Sequence, residues 1–228
     1  TKLVKKALPD TKIIVVSALG ESRFIKEAVA AGAHDFIIKP FTEDRLISSV
    51  AARVDRSRIL RSLLVRDSLT GLLNHTAVRE QLDDLVQRAK RKNETFSFGM
   101  VDIDKFKRVN DEYGHPVGDR VIQSLARTIR QRIRRVDAAG RYGGEEFAVI
   151  FDGLDTDAAV RALDRIRRAF SQIRHHSDKG DFFSTFSSGV VSFPDFQTGT
   201  ELNDAADRAL YAAKRSGGNC VARIDRKK

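Results

Sequence analysis

The sequence predicts an α/β chain: an α+β sandwich over residues 67–228, with helices on a mostly antiparallel sheet, preceded by a shorter parallel α/β segment. Three observations lead there. Strand-length apolar runs alternate with stretches of helical period. A Gly143-Gly144 pair separates two strand-like runs, as in a hairpin. The N-terminal residues hold two short continuous apolar runs, the pattern of strands buried in a parallel sheet.

Taken in order, residues 12–16 (Lys-Ile-Ile-Val-Val) read as a buried strand, and 22–31 as a helix stopped by Gly32. Residues 35–39 read as a second strand, closed by Pro40. Two strands alone cannot cover their own faces, so this N-terminus is expected to be poorly packed or covered by a partner. Thr42 caps a helix from Glu43. Its Leu46, Ile47, Val50, Val54, Ile59, Leu60, Leu63 and Leu64 keep helical spacing toward residue 65, as a connector would. These breaks divide the chain into 1–55, a helical linker at 56–66, and a main domain at 67–228. Within the main domain Asp67–Gly71 is a turn, 76–92 a helix, and 95–103 a strand. Residues 117–133 form an amphipathic helix with Val121, Ile122, Leu125, Ile129 and Ile133 on one face. The hairpin, a helix at 158–173, a strand region at 182–193, a helix at 202–216 stopped by Gly217-Gly218, and a strand at 221–224 complete the order.

At 228 residues and 41% hydrophobic composition the chain can bury a real core. The apolar run at 13–19 is too short to span a bilayer, so no membrane segment is expected, and the residues after Thr1 do not read as a signal peptide. The single cysteine, Cys220, rules out an internal disulfide and suits a reducing, cytoplasmic compartment. The net charge of +10 suits a polyanionic partner or simply solvated helix faces. The basic residues are scattered and lack interleaved aromatics, which favours a free nucleotide over a nucleic-acid polymer.

Asp102 and Asp104 end a strand where a loop begins, a place where hard cations find oxygen ligands. Glu145 and Glu146 follow the Gly-Gly turn, and period-two geometry sends them to opposite faces, so only one is expected to join Asp102. Lys107 could hold phosphate as a point charge, and Asn110 and Asp119 offer hydrogen-bonding groups of the kind a guanine edge requires. Taken singly, each segment has a plain structural reading: a strand end, a charged hairpin, a helix surface. Their combination in one domain is what informs.

Together, Asp67-Ser68-Leu69-Thr70-Gly71-Leu72-Leu73-Asn74, then Asp102-Ile103-Asp104-Lys105-Phe106-Lys107-Arg108-Val109-Asn110-Asp111, then Arg141-Tyr142-Gly143-Gly144-Glu145-Glu146-Phe147 resemble the motifs of GGDEF-domain diguanylate cyclases over about residues 66–226. The resemblance implies a fold related to polymerase palm and nucleotidyl cyclase domains. It implies condensation of two GTP to cyclic di-GMP by a head-to-head homodimer. By the family pattern, Asp102, the Ile103 carbonyl and Glu145 would hold magnesium, or manganese in its place. Glu145 would act as base, and Glu146 would be a required acidic neighbour. Lys107 and the Phe106 and Lys107 amides would meet phosphate, and Lys214 the terminal phosphates. Asn110 and Asp119 would read guanine, with His115 close by. Asp67 would pair with Arg141. Arg134 and Asp137, with Arg165, match the family's product-inhibition site for cyclic di-GMP. Two departures stand out. His75-Thr76 replaces the usual Arg-Arg, and Gly218 replaces an arginine expected near phosphate, which implies weaker hold on GTP.

The first 55 residues resemble the second half of a response-regulator receiver domain, through Val15-Val16-Ser17-Ala18, Ala31-Gly32-Ala33-His34-Asp35-Phe36 and Lys39-Pro40-Phe41. Ser17 and Lys39 would be that family's hydroxyl and lysine, and Lys39-Pro40 a candidate cis bond. The acidic pair and acceptor aspartate would belong to a part preceding residue 1. Two other readings remain open: a catalytically silent domain that senses GTP or cyclic di-GMP, and a dimerising signalling module driven by the 43–65 helix.

Overall fold

Contacts divide the chain into two units, residues 1–64 and 65–228. The computed structural model describes residues 1–7, 11–18, 22–51 and 65–224.

The N-terminal unit contains α1 (Lys2–Ala7), β1 (Ile14–Ser17), α2 (Ser22–Ala30) and β2 (Asp35–Ile38). The two strands pair in parallel, with Ile14 opposite Asp35 and Ser17 opposite Ile38. Residues 43–51 are helical, and Thr42 Oγ1 accepts from the Arg45 amide at 3.3 Å. Among the described residues of this unit, Ala33 and Ile37 are the buried apolar side chains, while Val16 and Ile38 are exposed. Two strands with only short helices beside them leave apolar faces open. Ser17 ends β1, and its carbonyl accepts from the Lys39 amide at 2.8 Å. Lys39-Pro40 is cis. The connector beyond residue 51, including Val54, Ile59, Leu60, Leu63, Leu64 and most of the 56–66 linker, lies outside the described residues.

The second unit is built on β3 (Phe96–Ile103), every residue of which is buried. It lies at the centre of a five-stranded sheet in the order β4 (Ala138–Arg141), β5 (Glu146–Asp152), β3, β8 (Phe186–Phe193), β9 (Val221–Arg223). All pairings are antiparallel except β8 with β9. Alternation along β3 feeds two cores. Val101 and Ile103 face α4 (Phe106–Tyr113), α5 (His115–Arg132) and α6 (Thr156–Ser171). Phe96, Phe98 and Met100 face α3 (His75–Lys92) and α7 (Gly199–Arg215). The result is a three-layer α/β sandwich, with the mixed helix and strand order read from the sequence.

Helix starts fall earlier than apolar periodicity places them, because the caps precede the periodic stretch. Asp155 accepts from the Ala158 amide, and Thr198 from the Glu201 amide. The strand region expected at 182–193 is in fact two strands. β6 (Arg174–Ser177) and β7 (Gly180–Phe183) form a separate hairpin before β8 begins. Its strands are short and charged, tied by Asp181 to His176 at 2.6 Å and to Arg174 at 3.6 Å, so hydrophobic period carries no sign of them.

His175, in β6, is 7% exposed, rests between the rings of Phe170 and Phe182, and its Nε2 has no hydrogen-bond partner. Burial, and then the neighbouring His176, hold its pKa below the ordinary 6.5. The unfolded chain therefore takes up this proton more readily than the folded one. Stability is full above pH 6.5 and declines as pH falls toward the folded-state value. Denaturant unfolding at about pH 7.5 and about pH 5.5 is expected to show the native protein losing up to about 1 kcal/mol more than His175→Phe over that interval. Equal losses would refute the assignment.

Candidate active site

Asp102 is the last polar residue of β3 and is 5% exposed. Its strand partners are Glu146 on β5 and Ser187 on β8. It shares the alternation of Phe96, Phe98 and Met100, so it points toward α7, where Lys214 Nζ lies 2.6 Å from its Oδ1. At that distance the two form a close, charge-assisted ion pair. Burial pushes the Asp102 carboxyl up, Lys214 opposes this, and Asp104 adds to it.

Burial also raises Glu145, with Asp102 and Glu146 adding repulsion and Lys214 relieving it. Glu146 is raised by burial, then by Asp102 and Asp207, again eased by Lys214. Glu146 is the direct ladder partner of Asp102. Strand alternation starts at Glu146, whereas Glu145 still belongs to the turn, where period-two geometry does not apply. Glu145 lines the adjoining cavity and its carbonyl accepts from the Ile103 amide at 3.5 Å.

That cavity, about 600 Å³, joins Asp102, Ile103 and Glu145 to Phe106, Lys107 and Lys214. It opens at the start of α4, whose N-cap, Lys105, has a left-handed backbone (φ 54°) and gives no side-chain cap. The first amides of the helix thus lack a side-chain acceptor. The far wall is aromatic: Tyr113 stacks on Phe182 at 4.2 Å, with exposed Phe183 beyond. Sequence reasoning missed this wall, because β7 was hidden within a longer apparent strand. Asn110, His115 and Asp119 do not line the cavity. Asn110 Oδ1 is buried without a partner, and a Cβ on Gly118 would come within 2.0 Å of it, so a glycine is needed where α5 passes the amide. His115 and Asp119 are exposed.

The hairpin is anchored at its base. Arg141 donates from Nε and Nη2 to the Gly144 carbonyl (3.0 and 2.6 Å), and its Nη1 lies 3.2 Å from Asp67 Oδ2. The segment bearing Asp67 runs beside β4: the Leu73 amide donates to Ala139, and the Arg141 amide to Leu73.

A second cavity, about 280 Å³, brings Arg134, Asp137 and Arg165 together, with Arg132 and Arg161 beside them. Arg134 forks onto Asp137 (Nε 3.0 Å, Nη2 2.6 Å) and reaches the Asp152 carbonyl at 2.7 Å. Arg132 and Arg161 were not singled out from the sequence. They stand on α5 and α6, which only the fold brings to one edge.

Residues 64–220 match the family described as diguanylate cyclase, GGDEF domain. The chain belongs to the GGDEF diguanylate cyclase family. Residues 1–51 match the response regulator receiver domain. Diguanylate cyclase DgcP of Pseudomonas aeruginosa is 37% identical over 157 residues, which are 69% of this chain and 23% of that protein. Response regulator PleD of Caulobacter vibrioides is 35% identical over 214 residues, 87% of this chain and 46% of that protein. The chain therefore spans less than half the length of either relative. Among solved structures, the GGDEF domain of DgcB from Caulobacter crescentus in complex with c-di-GMP superposes with a TM-score of 0.68 at 35% identity, covering 70% of this chain and 95% of that one.

Members of the GGDEF family generally use a divalent metal. The residues of this GGDEF domain fit one. Asp102 and Glu145 line one cavity with Ile103, and the Asp102 charge, after burial, helps to push the Glu145 carboxyl up. Among the described residues no three His, Cys, Asp or Glu side chains converge as ligands, so a backbone carbonyl would have to join two carboxylates. Asp104 is engaged elsewhere, accepting from Thr185 Oγ1 and Ser187 Oγ at 2.6 Å each. No described helix is long and apolar enough to cross a membrane.

At Asp67, burial works against ionisation, but the side-chain and backbone donors of Thr70, and then Arg141, hold the carboxyl below its ordinary 3.8. The stabilisation is present above pH 3.8 and is lost as pH falls through the lower folded value. Asp67→Asn is expected to cost about 1–2 kcal/mol near neutral pH, with the gap to the native protein closing in acid. Denaturant unfolding across pH measures this, and a gap independent of pH would contradict it.

Proposed function

We propose that residues 67–228 act as a diguanylate cyclase that condenses two GTP to cyclic di-GMP, releasing two pyrophosphates. The reading takes residues 56–66 as a helical linker and 1–55 as a receiver-type segment. One observation carries it: Asp102, buried with Lys214 Nζ 2.6 Å from its Oδ1, shares with Glu145 a cavity that opens on uncapped helix amides. Such a cluster calls for added positive charge at one end and accepts phosphate at the other.

Asp102, the Ile103 carbonyl and Glu145 would hold magnesium or manganese, which supplies charge neutralisation at the α-phosphate and at the departing pyrophosphate. The first amides of α4, at Phe106 and Lys107, together with the Lys107 ammonium, receive the phosphates. Lys214, on the last turn of α7, moves between Asp102 and the terminal phosphates. By the family pattern Asn110 and Asp119 would read guanine, with His115 at their side, beyond the cavity lining itself. Glu145 accepts the proton of the 3′-hydroxyl as that oxygen bonds to the α-phosphorus of the other GTP and pyrophosphate leaves. Glu146 keeps the local charge negative and orders the turn, its carbonyl accepting from the Tyr142 and Gly143 amides. Each domain offers one substrate site, so two must face each other as a homodimer, and their encounter sets the rate. A cytoplasmic location agrees with a GTP substrate.

Incubation with GTP and magnesium is expected to yield cyclic di-GMP, with a specific rate that rises with protein concentration. Glu145→Gln is expected to lower the rate by at least about 100-fold. Nucleotide binding without product, at any protein concentration, would replace this reading with a GTP or cyclic di-GMP sensor.

Arg134, Asp137 and Arg165 form the proposed site for product, since a guanidinium can exchange its carboxylate for a phosphate or guanine edge. Arg134→Ala is expected to raise the cyclic di-GMP concentration for half-inhibition more than about tenfold. An unchanged inhibition curve would remove the assignment.

A further inference from the structure

Behind the cavity a side-chain chain crosses three elements. Arg167, on α6, holds Asp164 through Nε and Nη2 at 2.8 and 2.7 Å, and donates from Nη1 to Asn219 Oδ1 at 2.7 Å. The Asn219 amide donates to Asp104 Oδ2 at 2.9 Å. Asp104 also accepts from Thr185 and Ser187, which fixes it to the start of β8. The chain thus runs from α6, through the turn after α7, to the end of β3.

The turn it grips is unlike the rest of the domain. Gly217, Gly218 and Asn219 have φ of 113°, 74° and 51°, all in the left-handed range. A Cβ on Gly218 would lie 3.1 Å from Asp104 Oδ1, so the turn presses on that carboxylate. Gly217 and Gly218 line the cavity, and both are without side chains. The turn also closes α7: the Gly217 amide donates to Lys214, and the Gly218 amide to Ala213. Lys214, the cation on Asp102, therefore stands on a helix end whose last carbonyls are held by this turn.

We propose that Arg167 is a positioning residue for the substrate site. Acting through Asn219 and with Asp104 on the other side, it sets the 217–219 turn and thereby the last turn of α7 that carries Lys214. The guanidinium itself does not line the cavity, so it acts without touching substrate. This inference rests on the cyclase reading, with GTP phosphates at the Lys214 end of the cavity. Paired with Asp164 and mostly buried, Arg167 is held by its own helix, so it works as a fixed post rather than a mobile charge.

The test compares the native protein with Arg167→Met and Arg167→Lys in three measurements. These are GTP steady-state kinetics, amide hydrogen exchange over residues 214–220, and thermal unfolding. Arg167→Met is expected to raise KM for GTP about five- to tenfold with kcat within about twofold, and to speed exchange in the turn. Arg167→Lys is expected to restore part of both. An unchanged KM in a folded Arg167→Met protein overturns the proposal, as does unchanged exchange in the turn. So does a kcat and KM pattern that simply follows the loss of thermal stability. Should the native protein make no cyclic di-GMP while the turn still loosens in Arg167→Met, the cyclase reading and the role in substrate positioning both fall, and only the tie between α6 and the turn stands.

Discussion

A carboxylate at the end of a strand buried on both faces is the constraint on which the rest of the second unit depends. Placing the Asp102 charge in that position is costly unless a cation meets it. α7 provides one in Lys214, and the end of α7 must then be held in register with the end of β3. The links among Asp104, Asn219 and Arg167 lie at that junction. The hairpin glutamates push in the other direction, adding negative charge where one lysine cannot balance three carboxyls. A site of this kind is left short of positive charge by its own fold, which is a sound basis for recruiting a hard cation and a phosphorylated substrate together.

Much of this could be read without coordinates. Apolar period located β3, β5 and the long helices, because burial on a sheet or helix face leaves a direct mark on residue order. The Asp102 and Gly-Gly-Glu-Glu segments announced themselves as chemistry because their residue types are costly to bury and sit where strands end. What escaped was set by non-local contact. The β6–β7 hairpin is held by ion pairs and by rings stacked on α4, so it has no period to detect. The Lys214–Asp102 pair joins positions more than a hundred residues apart, and spacing along the chain says nothing of it. Asp104 looked like a second metal carboxylate, yet Thr185, Ser187 and Asn219 occupy its oxygens, and only the register of β8 reveals that.

The two cavities stand at opposite ends of one strand. Glu145 and Glu146 are at the start of β5, while Asp152, at its end, accepts Arg134 on its carbonyl and donates its amide to Asp137. Seven residues of extended chain separate them, roughly 20 Å. Product held at the Arg134 pocket, as proposed, therefore cannot occupy the place of GTP in the same domain. Inhibition from that pocket, on the proposed reading, would act either by displacing β5 along its length or by keeping two domains apart. The first is resisted by the sheet: β5 is hydrogen-bonded on both sides, to β3 and β4, and five of its seven residues are buried. Close-packed strands of this kind shift by small amounts only. The second would need no internal movement, since the proposed condensation at two facing half-sites would stop when their approach is blocked. The rigidity of the strand that joins the two cavities thus favours a brake that works between domains rather than within one.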